Sequence, residues 1–141
     1  LITKALPTIE GEVNNILSQL VDFQMLFEMD GKNINNYIVY DDDNVWPLEL
    51  SSGMERFISS LAIRVALINV SNLPRSNFLA IDEGWGTMDS DNLNSVYSLF
   101  QYLKSQFQFT LIVSHIDSMR DAVDTLLEIK KEGGYSSVKS T

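Results

Sequence analysis

Two adjacent carboxylates, Asp82 and Glu83, follow directly on the apolar run Phe78-Leu79-Ala80-Ile81. Like charges in contact repel, and ending a buried strand on two of them is costly unless something positive compensates. Strand tips are where α/β folds hold ligands, so a metal ion beside a phosphate would supply that charge. The plainer alternative is an exposed acidic turn. A second constellation is Ser52-Gly53-Met54-Glu55. Ser52 and Glu55 stand three residues apart just before an apolar helix, which is a capping box that satisfies two orphan amides. A helix start with a serine and a glycine also suits a phosphate, through its free N–H groups, its dipole and a small hydroxyl. The two readings share one geometry. The third group is His115, the single histidine of the chain, which follows the run Thr110-Leu111-Ile112-Val113-Ser114. It is either structural or, on the same strand-end rim as Asp82 and Glu83, able to stabilise a developing phosphate charge.

These groups need elements to hold them. Val13, Ile16, Leu17 and Leu20 recur at helical spacing, in a helix expected to start at Pro7 and end near Asp22. Phe23 to Met29 and Ile34 to Tyr40 read as strands around the turn Asp30-Gly31-Lys32-Asn33. Asp41-Asp42-Asp43-Asn44 reads as a solvated acidic loop, which lacks the glycine and the distal glutamate of a calcium loop. Beyond Pro47, the residues Ile58, Leu61, Ala62, Val65 and Ile68 form one helical stripe with a core face. Phe78 to Ile81 is expected to be a buried strand. Asp89 is placed to cap a further helix carrying Leu93, Val96, Phe100 and Leu103. Phe109 to Val113 is expected to be a second short buried strand, and Met119 to Val123 a short helix. Leu126 to Lys130 and Tyr135 to Val138 read as a hairpin about Glu132-Gly133-Gly134. Strand, helix and strand in succession give an α/β fold with a parallel-strand core.

The bulk composition narrows the function. The chain has 141 residues, 45% of them hydrophobic, enough for one globular unit with a real core. No apolar run approaches the roughly 18 residues of a membrane span. The N-terminal Leu1-Ile2-Thr3-Lys4 lacks the regions of a signal peptide. With no cysteine there is no disulfide framework and no thiolate zinc site, which fits an intracellular location. The net charge of −9 argues against strong nucleic-acid binding by this chain alone, because phosphate contact wants a basic face.

Order and spacing then carry a resemblance. A capped helix, a strand ending in Asp-Glu, Gly-x-Gly-Thr-x-Asp, and a strand ending in Ser-His resemble the second half of an ABC-type P-loop ATPase head. The closest likeness is to the SbcC-type ATPases of the Mre–Rad DNA-repair family, relatives of SMC proteins. It covers about residues 45–125 well. The resemblance implies that Ser52, Gly53, Met54 and Glu55 form the signature, which acts in trans on the nucleotide of a second head. Asp82 and Glu83 match Walker B: Asp82 would hold Mg²⁺ through water, and Glu83 would polarise the water that attacks ATP. Gly86, Thr87 and Asp89 match the D-loop, and His115 the switch histidine. The run Asp-Glu-Gly-aromatic-Gly-Thr-x-Asp is the specific part, since SMC proteins and transporters differ there. Ser51 stands where the family usually has Leu, and Met54 replaces the second signature glycine. That change sets a side chain beside the phosphate approach but keeps the backbone N–H.

A phosphate loop, G-x-x-x-x-G-K-[ST], is missing. Among the seven glycines only Gly31 precedes a lysine, and there Leu26 and Asn33 break the pattern. The resemblance therefore implies a C-terminal lobe alone, a parallel-strand core with a signature helix and an edge β-hairpin. Residues 1–22 would end a returning coiled coil, 23–50 would form a β-hairpin and loop, and 51–141 would carry the motifs. Implied partners are its own N-terminal Walker-A lobe, a second head forming a homodimer, an SbcD-type nuclease, and DNA through the assembled complex; no membrane is implied. ATP and Mg²⁺ are the implied cofactors, and ATP hydrolysis by the chain alone is expected to be negligible. Arg56 or Arg64 on the signature helix would transmit engagement by exchanging salt-bridge partners, or would simply be exposed. An SMC-like structural tether, in which ATP gates assembly, is the alternative function. A transporter nucleotide domain and an α/β domain without a nucleotide rank behind it.

Overall fold

The computed structural model describes residues 2–82 and 93–140. Glu83, Gly86, Thr87 and Asp89 lie outside the described residues. The described elements are α1 (Ile2–Leu17), β1 (Gln24–Asp30), β2 (Asn33–Asp41), β3 (Asn44–Pro47), α2 (Gly53–Val70), β4 (Phe78–Asp82), α3 (Leu93–Gln106), β5 (Phe109–Val113), β6 (Leu127–Glu132) and β7 (Tyr135–Ser140). Short 3₁₀ turns occupy Leu48–Leu50 and Asp117–Ala122. The second of these stands where a short helix at Met119 to Val123 was expected.

One apolar cluster holds these elements together. Val13, Ile16 and Leu17 of α1 join Ile58, Leu61, Ala62 and Val65 of α2, with Phe23 just before β1, Met25 of β1 and Ile38 of β2. Val96, Leu99, Phe100 and Leu103 of α3 and Ile81 of β4 complete it. The described side chains of the helical stripes read from the sequence are thus the buried faces, and Ile68 packs against the cluster without being fully buried.

The first helix departs from expectation at both ends. It begins at Ile2 and runs through Pro7. Proline removes one backbone bond near a helix start, a cost that burial of Leu6 upstream helps offset. The helix ends at Leu17, although Leu20 stays buried. The amides of Leu20 and Val21 both donate to the Leu17 carbonyl and turn the chain toward β1. Asn14 then fastens α1 to β1: its Nδ2 donates to the Met25 carbonyl at 2.9 Å, and its Oδ1 accepts from Met25 N at 2.8 Å. One turn earlier Glu10 accepts from Phe27 N at 2.8 Å. Asn69 of α2 donates to Glu12 at 2.7 Å.

The expected hairpin is present, with its turn at Gly31 in the left-handed region (φ 60°) that favours glycine. The expected acidic loop is a second tight turn, so the antiparallel sheet has three strands in the order β1-β2-β3. Asp41 Oδ1 accepts from the amides of Asp43 and Asn44, each at 3.0 Å, and folds the chain back. Its carboxyl is held below the usual range by the Asn44 side chain and the Asp43 amide.

Strands β4 and β5 are parallel neighbours, in register from Phe78↔Phe109 to Asp82↔Val113. They are not buried strands. Leu79, Ile81, Thr110 and Ile112 face the core, whereas Phe78, Ala80, Phe109, Leu111 and Val113 are exposed on the opposite face. A run apolar on both faces is built for a sheet covered on both, and here helices cover one. The C-terminal hairpin matches its expectation: β6 and β7 close on Gly133 and Gly134 at φ 59° and 85°, the backbone of a two-residue primed turn.

Candidate functional site

The Ser52 end of α2 is built from within the chain. Ser52 caps the helix, its Oγ accepting from Glu55 N at 3.2 Å, while Glu55 Oε2 accepts from Ser52 N at 2.6 Å. The capping box is therefore present as expected. Because the Ser52 oxygen accepts a bond, its own hydroxyl proton is left to donate. Among the amides that a helix start leaves without an intrahelical partner, those of Ser52 and Glu55 are satisfied by the box, so Gly53 and Met54 hold the remaining donors. Met54, which stands in place of a glycine, is buried at 7% exposure within the core cluster. Its side chain does not occupy the approach to those donors. Ser51, in place of a leucine, is buried and donates to the Leu48 carbonyl at 2.6 Å.

Sequence reasoning missed a further member of this end. The Tyr40 hydroxyl donates to Glu55 Oε1 at 2.7 Å. Burial opposes the Glu55 charge, yet the bonds from Tyr40 and Ser52 hold its carboxyl below the usual range. Burial, the bond to Glu55 and the nearby charges of Glu55 and Asp22 push the Tyr40 hydroxyl up to about 12. Tyr40 is the last tyrosine before the acidic turn, and only the alternation of β2 hints that it reaches the helix. Arg56 donates to the Glu49 carbonyl at 3.1 Å. Among the described residues neither Arg56 nor Arg64 forms an ion pair.

The second group sits at the C-terminal end of the parallel strands. Asp82 ends β4 opposite Val113, so His115, two residues beyond Val113, leaves the sheet at the same end. Asp82 and His115 are exposed. Ser114 organises the exit, its Oγ accepting from Ile116 N at 3.1 Å and lying 3.4 Å from Met119 Sδ. Among the described residues no three acidic or histidine side chains converge to hold a metal ion. A single exposed carboxylate nonetheless fits Mg²⁺, which takes one or two carboxylates beside substrate phosphates and keeps several waters. No hydrogen bond or ion pair among the described residues joins this tip to the Ser52–Glu55 end. The strand register thus brings Asp82 and His115 to one rim.

No family model matches the chain. It is 37% identical over 149 residues to the uncharacterized protein R555 of Acanthamoeba polyphaga mimivirus, covering 94% of this chain and 11% of that protein. It is 34% identical over 87 residues to the SbcC component of the SbcCD nuclease of Rhodobacter capsulatus, covering 61% and 7%. Against the DNA double-strand break repair Rad50 ATPase of Pyrococcus abyssi it is 26% identical over 139 residues, covering 96% and 16%. The chain therefore spans between 7% and 16% of the length of these relatives. A solved structure from work on ATP-driven dimerization and DNA-stimulated activation of SMC ATPases shares its fold. That match has a TM-score of 0.79 at 17% identity and covers 99% of this chain and 87% of that one. Among the described residues no helix is long and apolar enough to cross a membrane.

Proposed function

We propose that the chain, which is similar to SbcC and Rad50 and shares the fold of SMC heads, forms the C-terminal lobe of such an ATPase head and supplies two separate half-sites to an ATP-hydrolysing DNA-repair machine. The observation that carries this reading is the contrast between a finished helix end at Ser52 and an acidic strand tip whose sheet is bare on one face. A parallel sheet normally has both faces covered. The uncovered residues Phe78, Ala80, Phe109, Leu111 and Val113 are the surface for the lobe carrying the phosphate loop. Residues 1–22 would lead from a coiled coil, 23–50 would brace the signature, and 51–141 would bear the motifs.

In that assembly Asp82 would hold Mg²⁺ through water, and the ion would offset phosphate charge. Glu83 would orient and deprotonate the attacking water, and His115 would steady the developing charge from the neighbouring strand end. The Ser52 hydroxyl and the amides of Gly53 and Met54 would bind the terminal phosphate on a second head. Gly86, Thr87 and Asp89 would lie where the two heads meet. Kinship to a nuclease component and to Rad50 supports an intracellular DNA-repair role with a nuclease of SbcD type as partner.

Steady-state ATP hydrolysis tests this directly, with the chain alone, the chain mixed with its Walker-A lobe, and the mixture carrying Glu83→Gln. The expected result is turnover only in the mixture, reduced about 100-fold or more by the substitution, with the heads accumulating as dimers. Unchanged turnover in Glu83→Gln would remove the hydrolytic reading and leave a scaffold.

A further inference from the structure

Glu55 does not stand alone at the signature. Its Oε2 accepts from Ser52 N at 2.6 Å, and its Oε1 takes the Tyr40 hydroxyl at 2.7 Å. Tyr40 is itself fixed by its sheet. Its ring lies 5.6 Å from that of Phe23 and 5.4 Å from that of Trp46, both tilted, so the residue leading into β1 and one on β3 flank it. The sheet is in turn fastened to α1 by the Asn14 and Glu10 bonds to Met25 and Phe27. A line of direct contacts thus runs from α1 across the three strands to the residue that holds Ser52.

We propose that Tyr40 is a positioning residue for the signature: its hydroxyl anchors Glu55 to the sheet, so that Ser52 and the free amides of Gly53 and Met54 meet the partner head's phosphate in a fixed geometry. The inference rests on the signature reading above. A glutamate at a helix start is only half exposed here, and with a single bond to Ser52 its carboxylate would be free to swing among rotamers. Two bonds to opposite oxygens leave one arrangement. Rigid donors stabilise developing charge without reorganising, which raises turnover more than ground-state binding.

The assay is ATP turnover by the chain combined with its Walker-A lobe, comparing Tyr40→Phe, Glu55→Gln, Glu55→Ala and Ser52→Ala. Tyr40→Phe removes one hydroxyl and keeps the ring packing. We expect it to lower kcat about 3- to 10-fold, the scale of one hydrogen bond, with KM for ATP unchanged because the nucleotide first binds the other lobe. Glu55→Gln keeps an acceptor for Ser52 N and a partner for the tyrosine, so it is expected to lose less turnover than Glu55→Ala. In the Glu55→Ala background Tyr40→Phe should have no further effect. An unchanged kcat, an additive loss in that background, or failure of Tyr40→Phe to fold would each overturn the proposal. Ser52→Ala separates the two levels. If it leaves turnover intact, the signature reading itself fails. If it abolishes turnover while Tyr40→Phe is silent, only the positioning role falls.

Discussion

The two ends that could handle phosphate are held in opposite ways. At α2 the side chains are held by neighbours in the same chain: Ser52 by Glu55, Glu55 by Tyr40, and Met54 by the core. At β4 and β5 the backbone register is set, but Asp82 and His115 are exposed and one face of the sheet is bare. A group that must be presented to another molecule gains from being rigid beforehand. A group that must close around a ligand with a second lobe can wait for that lobe to complete it. On the proposed function, the difference separates a half-site made within the chain from one completed by assembly.

Substitutions can break or sharpen that contrast. The largest expected effect is in the packed half: Ile58→Ala should cost about 2–5 kcal/mol in denaturant unfolding, since Ile58 is fully buried. Asp82→Asn should do the reverse, leaving unfolding unchanged while cutting turnover of the combined lobes about 100-fold, the scale of a few kcal/mol of lost charge stabilisation. Asn14→Ala strips both bonds from Met25 and should cost about 1–3 kcal/mol by the same unfolding measurement.

Acid should act on the helix end more gently. The Glu55 carboxyl is depressed from an ordinary 4.5, so its contribution is fully present above that pH and is lost as pH falls through the lower folded value. Melting curves between about pH 6 and about pH 3 should therefore fall further for the parent chain than for Glu55→Gln. Last, Leu111→Asp on the bare face should shift the stability of the chain alone by no more than about 0.5 kcal/mol. The same change should block co-elution with the Walker-A lobe.

Much of this was readable from residue order. The stripe on α2, the capping box and the Gly133-Gly134 turn are local patterns, and local geometry enforces them. The exposure of β4 and β5 was not, because Phe78-Leu79-Ala80-Ile81 is apolar on both faces and a run does not say how many of its faces are covered. The third strand was masked by three consecutive aspartates, though Val45-Trp46 ahead of Pro47 suits an edge strand. Tyr40 reaching Glu55 is a contact between elements, which no spacing rule reports. The expectations for Glu83, Gly86, Thr87 and Asp89 rest on motif alone, since these residues lie outside the described ones.

The Asn14 bonds carry one more implication. A side-chain amide offers a donor and an acceptor side by side, as a strand does, and it seats on one residue of β1 only. Advancing α1 along its axis by one residue, about 1.5 Å, would unseat Asn14 and Glu10 together. The helix is keyed to the sheet like a shaft in a slot. Sliding of the helix along the strand would therefore have to break these bonds first.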